Sequence, residues 1–274
     1  MHPQYHFDLQ FKGSCRGFFL LHCYYHIYLW NPSTGFHKQL PLSRYGSSYR
    51  NYFYGFGYED STDDYFLVSI SHDPKLANTK HLEIFSLRAN KWKEIEGIHC
   101  PYINSSTDYP KTIGTPFNGA IHWFAFRHDH LRKDIILAFD LIERELFEIP
   151  LPIDIDYEAT NCDVWVFGEL LSIWVMDYAN DTVEIWVLKE YNVHSPWTKT
   201  LVLSIDGIST KLFSPICSTK SSDIIGTEDG WRLVKYNDKG QLIESHFYSD
   251  STHGTEVALY TESLLSLPCD NEQA

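Results

Sequence analysis

The residues best suited to chemistry are sparse and do not converge. His128 and His130 stand two apart around Asp129, in the only dense group of basic and imidazole side chains. On a strand they would share a face and offer two nitrogens to a metal. No third ligand stands nearby, so Arg127 to Lys133 reads as an exposed loop tip without a metal. Six cysteines (Cys15, Cys23, Cys100, Cys162, Cys217, Cys269) lie far apart with no Cys-x-x-Cys pair and read as reduced thiols. Nucleophile-elbow, phosphate-loop and zinc-protease spacings are missing. Gly55-Phe56-Gly57 lacks the third glycine and the helix of a dinucleotide fingerprint, so its glycines read as room for close strand packing. No catalytic residue and no cofactor is expected.

Recognition chemistry is better represented. The stretch Ser43 to Tyr52 carries Tyr45, Tyr49, Arg50 and Tyr52, and the connector from Glu96 to Ile113 carries Tyr102, Asp108 and Tyr109. With the 128–130 tip and Tyr157, these are the candidate partner-binding residues. Tyrosine gives a large amphipathic contact at small entropic cost, and the plainer alternative is ordinary solvated loop. A net charge of −14, from 22 basic and 36 acidic side chains, leaves no basic stripe for nucleic acid. It supports solubility and a mild preference for basic partner surfaces.

The elements that must position these residues are strands. Aromatics make up 16% of the 274 residues and only two are methionine, which favours sheet over helix. The stretch Trp30-Asn31-Pro32-Ser33-Thr34-Gly35 is an apolar run entering a turn, and the chain leaves it through Phe36 to Leu40. The plan recurs around Phe85, Phe139, Trp186 and Tyr236, at steps of 55, 54, 47 and 50 residues from Trp30. A hairpin repeated near 50 residues marks a kelch-like repeat architecture. The recurring aromatic is expected to pack between neighbouring sheets. Asp163 to Leu188 and Ser221 to Tyr236 read as antiparallel strands and turns, and Ser251 to Leu267 as closing strands that meet the N-terminal ones.

In order, the chain runs through Gly13-Ser14-Cys15-Arg16-Gly17, Trp30-Asn31-Pro32-Ser33-Thr34-Gly35 and Gly55-Phe56-Gly57-Tyr58 with Ser61-Thr62-Asp63-Asp64-Tyr65. Ile84-Phe85-Ser86-Leu87, Asn118-Gly119-Ala120-Ile121-His122-Trp123, Phe139-Asp140-Leu141 and Tyr260-Thr261-Glu262-Ser263-Leu264 follow. This succession resembles the F-box-associated interaction domain of plant F-box/kelch-repeat proteins, from about residue 5 to 268. The resemblance implies an all-β, kelch-like β-propeller of about six blades. It divides the chain into a remnant N-terminal strand without an F-box (1–12), the propeller domain (13–268) and a tail (269–274).

It further implies a substrate receptor of a Skp–cullin–F-box ubiquitin ligase that binds a target protein for ubiquitination. The family's helical F-box, which docks on the Skp-type adaptor, is not found before Gly13, so adaptor binding is expected only if an F-box lies upstream. Two alternatives are a binding module or competitor outside any ligase, and a propeller glycosidase. For the latter, Thr227-Glu228-Asp229-Gly230-Trp231 is faintly similar to the Asp-box turn of sialidases, once and out of register. With no signal segment and no apolar run of membrane length, the expected location is cytoplasmic and/or nuclear, with no membrane or nucleic-acid partner.

Overall fold

The structure, a computed structural model, describes residues 9–23, 26–45, 51–73, 79–98, 100–104, 113–127, 133–152, 155, 161–191, 196–205, 213–228, 231–248 and 257–264, apart from the side chains of Asn51, Tyr52 and Asn104. Every regular element among them is a strand, and the strands form five antiparallel sheets of a β-propeller. Blade 1 holds β1 (Leu9–Cys15), β2 (Phe18–Cys23), β3 (His26–Trp30) and β4 (His37–Leu40). Blade 2 holds β5 (Asn51–Glu59), β6 (Asp64–His72), β7 (Lys80–Ser86) and β8 (Lys91–Glu94). Blade 3 holds β9 (Tyr102–Asn104), β10 (Thr115–Phe117), β11 (Ala120–Arg127), β12 (Lys133–Asp140) and β13 (Leu146–Pro150). Blade 4 holds β14 (Asn161–Phe167), β15 (Leu170–Asp177), β16 (Thr182–Leu188) and β17 (Trp197–Ser204). Blade 5 holds β18 (Phe213–Ser218), β19 (Ile224–Glu228), β20 (Arg232–Tyr236) and β21 (Leu242–Phe247). The described residues therefore give five blades where the sequence suggested about six.

Each blade is a meander closed by tight turns. At Asn118-Gly119 both residues take positive φ, 45° and 74°, the pattern of a two-residue hairpin turn that matches strand twist. Neighbouring blades pack face to face through four apolar clusters, one for each of the pairs 1–2, 2–3, 3–4 and 4–5. The recurring aromatic of the sequence holds this role at Phe85, Phe139, Trp186 and Tyr236, all buried. Trp30 departs from it. It is 38% exposed, and the buried Leu29 beside it faces blade 2 instead. Side chains alternate faces along a strand, so an alignment one residue out selects the wrong face.

The outward aromatic face of blade 1 is met by residues 257–264. Phe19 meets Phe11, Trp30 and Tyr260 at centroid distances of 5.5, 5.9 and 5.2 Å. Residues 257–264 are not a strand, contrary to the sequence expectation, yet they do reach the N-terminal blade. Ser14 Oγ donates to the Leu259 carbonyl at 3.1 Å, and the buried Asn31 donates through Nδ2 to the Ser263 carbonyl at 3.0 Å. Tyr260 Oη donates to Asn31 Oδ1 at 3.1 Å and accepts from the Ser33 N–H at 3.0 Å. Gly17, at φ 84°, lies so close that an added Cβ would fall 2.1 Å from Ser263 Cβ. The Asn-Pro-Ser-Thr-Gly turn is thus both a hairpin and the seat of this strap. Tyr260→Phe is expected to cost about 1 kcal/mol, because Asn31 Oδ1 keeps the Ser33 N–H at 2.9 Å but loses the phenol that ties it to the strap. Faster amide hydrogen exchange at Ser33 and Ser263 is the measurement that checks it.

Candidate functional site: the polar rim of blades 2 and 3

The interface between blades 1 and 2 changes character along its length. Cross-strand register places Phe56, Leu67, Phe85 and Trp92 in one row of blade 2. The next row is Tyr54, Ser69, Glu83 and Glu94, and beyond it Ser71 pairs with His81. Paired residues share a face, so an apolar surface toward blade 1 gives way to hydroxyls, carboxylates and an imidazole. Tyr54, Ser69, Ser71 and Glu83 are all buried, and the first three have side-chain oxygens with no hydrogen bond to protein. Burial pushes the Tyr54 phenol and the Glu83 carboxyl upward, the latter against hydrogen bonds from Ser43 and the Tyr45 N–H.

The segment leaving blade 1 lies over these rows. Ser43 Oγ donates to Glu83 Oε2 and accepts from the Tyr45 N–H at 3.1 Å. The Tyr45 ring stacks on the His81 imidazole, with centroids 3.6 Å apart and planes 1° from parallel. His81 Nδ1 is 2.6 Å from Glu94 Oε1 and Nε2 is 3.0 Å from Asp73 Oδ2. Carboxylates facing both ring nitrogens are satisfied only by the imidazolium, which donates twice. Burial lowers the pKa of His81, but the two carboxylates outweigh it and raise the group above its ordinary 6.5. A cation under the ring adds attraction to the stack. The His81 ring proton is therefore expected to titrate above 6.5 by NMR, with an aromatic shift that Tyr45→Ala abolishes. An unchanged shift in that variant would mean the stack does not form in solution.

Tyr102, the other described tyrosine among the candidates, is buried between blades 2 and 3 rather than displayed. Its hydroxyl donates to Glu148 Oε1 at 2.9 Å, and Arg127 Nη1 reaches the same oxygen at 3.1 Å. Lys80 Nζ donates to its carbonyl. Beside Tyr102 a cleft of about 850 Å³ opens between the segment leaving blade 2 and the turn from β12 to β13. Its walls carry Lys93, Glu94 and Glu96 on one side and Glu143, Arg144 and Glu145 on the other.

The remaining candidates, Tyr49, Arg50, the Tyr52 side chain, Tyr109, His128, Asp129, His130 and Tyr157, lie outside the described residues. The described strands that flank them are informative. In an antiparallel meander the first strand starts, the middle turn lies and the last strand finishes at one end. The described residues next to 46–50, 105–112, 128–132 and 156–160 therefore lie toward one end of the propeller, as do Tyr45, His81 and Tyr102. Sequence reading missed His81, Asp73, Glu94 and Arg144. The one available signal was the alternation in Lys80-His81-Leu82-Glu83-Ile84, which puts His81 and Glu83 on a common face.

Groups with catalytic potential elsewhere are engaged structurally. Glu228, of the sialidase-like turn, is buried and ion-paired to Arg232 at 3.0 Å, while Asp229 and Gly230 lie outside the described residues. The thiol of Cys15 is pushed up to about 11 by burial, which disfavours the reactive thiolate. Among the described residues no cysteine is disulfide-bonded, and no helix is long and apolar enough to cross a membrane.

The F-box associated beta propeller domain family matches residues 2–259. Among curated proteins, the F-box protein CPR1 of Arabidopsis thaliana is 30% identical over 195 residues, 64% of this chain and 47% of that protein. An F-box/kelch-repeat protein of the same plant is 27% identical over 217 residues, 73% of this chain and 54% of that protein. The chain thus spans about half the length of these relatives. Among solved structures, an oligogalacturonate lyase from Vibrio parahaemolyticus superposes with a TM-score of 0.48 at 11% identity. That alignment covers 88% of this chain and 78% of the lyase, a likeness too loose to bear on activity.

Proposed function

The chain belongs to the F-box-associated β-propeller family, and we propose that it holds a target protein as the recognition part of a Skp–cullin–F-box ubiquitin ligase receptor. The observation that carries this reading is the family match across nearly the whole chain, to a domain borne by proteins named for their F-box. The geometry adds support. A rim fed by blade-to-blade connections, with Tyr45 held in place by an ion-paired imidazole, suits protein contact better than turnover of a small substrate.

In this role the chain does no bond chemistry of its own. It raises the effective concentration of a target lysine near ubiquitin carried by other subunits. The Skp-type adaptor is contacted through an F-box and not through this propeller, and the setting is the cytoplasm, the nucleus or both.

The test is proximity labelling in Arabidopsis cells with the chain fused to an adaptor-binding F-box. At least one enriched protein is expected to fall in abundance with the fusion and to recover when the proteasome is inhibited. Enriched proteins whose turnover never changes would overturn the ligase role and leave a binding module outside any ligase.

A further inference from the structure

The cleft between blades 2 and 3 joins three features that select one kind of occupant. The first is charge. Glu96, Glu143 and Glu145 stand among Lys93 and Arg144 in a lining that is net acidic, on a chain whose own charge is −14, and Glu94 borders it with its side chain on the blade 1 face. Glu94 is committed to His81, but Glu96, Glu143 and Glu145 are exposed and form no ion pair among the described residues. The second is an apolar strip. Ile95, Ile98 and Leu146 line the same cleft and are only partly buried against the core cluster of blades 2 and 3. The third is a fixed arginine. The Arg144 guanidinium lies over the Phe66 ring at 4.2 Å, and its buried Nη1 has no hydrogen-bond partner. The group is a fixed cation in the wall, with Glu59, Asp140 and Asp64 near enough to favour its charge.

The walls are already fixed. Asp140 Oδ1 accepts from the Ile142 and Glu143 N–H groups at 2.7 and 2.8 Å, and the Arg144 N–H donates to the Asp140 carbonyl at 3.1 Å. On the facing wall the Ile95 N–H donates to the Leu82 carbonyl at 2.9 Å. Glu143 and Glu145 therefore project from a turn whose backbone needs no ordering on binding, which lowers the entropic cost. The volume, about 850 Å³, lies within the range of pockets that enclose small ligands, and a short peptide segment is of that size.

We propose that this cleft receives a short extended segment of the target protein in which an aliphatic residue is flanked by lysine or arginine. The aliphatic side chain rests on Ile95, Ile98 and Leu146. The basic side chains reach Glu96 on one wall and Glu143 and Glu145 on the other. The proposal rests on the target-recognition reading and specifies the target's chemistry.

The experiment uses fluorescent peptides with one leucine between two lysines, between two glutamates and between two glycines. Each is titrated into the wild-type protein and into the Glu143→Lys/Glu145→Lys double variant, at low and high salt. Both glutamates are exposed on a turn, so the variant is expected to keep its urea midpoint. The lysine peptide is expected to bind the wild type best and to weaken with salt. The double variant is expected to bind it roughly tenfold or more less tightly, and to favour the glutamate peptide instead.

A wild-type preference for the glutamate or glycine peptide, no binding of any peptide, or a double variant with unaltered preference would overturn the proposal. The turnover assay separates this from failure of the ligase reading. Target loss that persists in the double variant refutes the cleft alone, whereas no target loss with the wild type refutes the ligase role.

Discussion

Gly55→Ala is expected to destabilise the domain by roughly 2–4 kcal/mol, at or above the usual cost of overpacking a core. A Cβ at this position would stand 2.5 Å from Ile121 Cγ2, 2.9 Å from its Cδ1 and 3.0 Å from Trp123 Cζ2. None of these atoms is the free end of a flexible side chain. Ile121 is fully buried and Trp123 nearly so, and the indole N–H is held by the Tyr54 carbonyl at 2.8 Å. The same carbonyl accepts from the Gly114 N–H at 2.6 Å, so a shift of the indole would disturb a second backbone contact. Relief requires β5 to draw away from β11, which opens the packing between blades 2 and 3. Urea midpoints of Gly55→Ala, Ile121→Ala and the double variant check the cause. Alone, Ile121→Ala costs about 2–5 kcal/mol for its cavity. In the Gly55→Ala background it removes the clash as well, so the double variant is expected to be more stable than the sum of the two losses. Simple additivity would show that the methyl group does not meet Ile121.

The second large effect is a loss of stability on mild acidification, set by His122. This residue is fully buried; its Nδ1 lies 3.2 Å from the Thr115 carbonyl and its Nε2 2.8 Å from Tyr191 Oη. With Nδ1–H donating to the carbonyl and Tyr191 O–H donating to Nε2, the neutral ring is fully satisfied and a second proton has nowhere to go. Burial pushes its pKa down to about 4 from an ordinary 6.5, against the Thr115 carbonyl, which favours the proton. Above 6.5 the ring is neutral in both folded and unfolded chains, and the contribution is whole. As pH falls from 6.5 toward 4 the unfolded chain takes up a proton that the folded one refuses, so stability falls by about 3 kcal/mol.

His81 has the opposite sign in a different window. Its raised pKa adds stability that is present below 6.5 and lost as pH rises through the folded value. Glu59 acts lower still. Burial would raise its pKa, but hydrogen bonds from Ser61 and Thr62 hold it at about 2, so its contribution is lost only as pH falls below its ordinary 4.5. Urea midpoints between pH 7 and 4 are expected to fall in the wild type and to flatten in His122→Phe, whatever that variant's own stability. An unchanged slope in the variant would assign the acid loss to other groups.

The blades were legible because turn chemistry and strand alternation are local. Asp163 to Leu188 and Ser221 to Tyr236 could be read as strands and turns from their apolar runs and turn residues, and Gly55-Phe56-Gly57 as a place of close approach. What the sequence could not carry was contact between distant segments. Trp30 looked like the packing aromatic because the alignment stood one residue out, and nothing local distinguishes it from Leu29. Tyr102 looked like a display residue because its partners, Glu148 and Arg127, lie well beyond it in the chain. The pairing of His122 with Tyr191 joins two blades, and neither residue's neighbours announce it. The cleft depends on the separation of two blades, a quantity that no spacing along the chain encodes.

The strap across blade 1 has a consequence for the order of events during synthesis. Ser263 lies 230 residues beyond Ser33, the residue whose hydroxyl it meets. At the usual pace of translation, ~5–20 residues per second, the strap leaves the ribosome some ten to fifty seconds after its seat. Through that interval Phe19 has no Tyr260 against it, and the nascent first sheet offers an aromatic surface to whatever binds emerging chains. Blade 1, the first to be made, is thus among the last to be finished, and a chaperone that shelters it until residue 264 has emerged would be cooperating with the fold rather than correcting it.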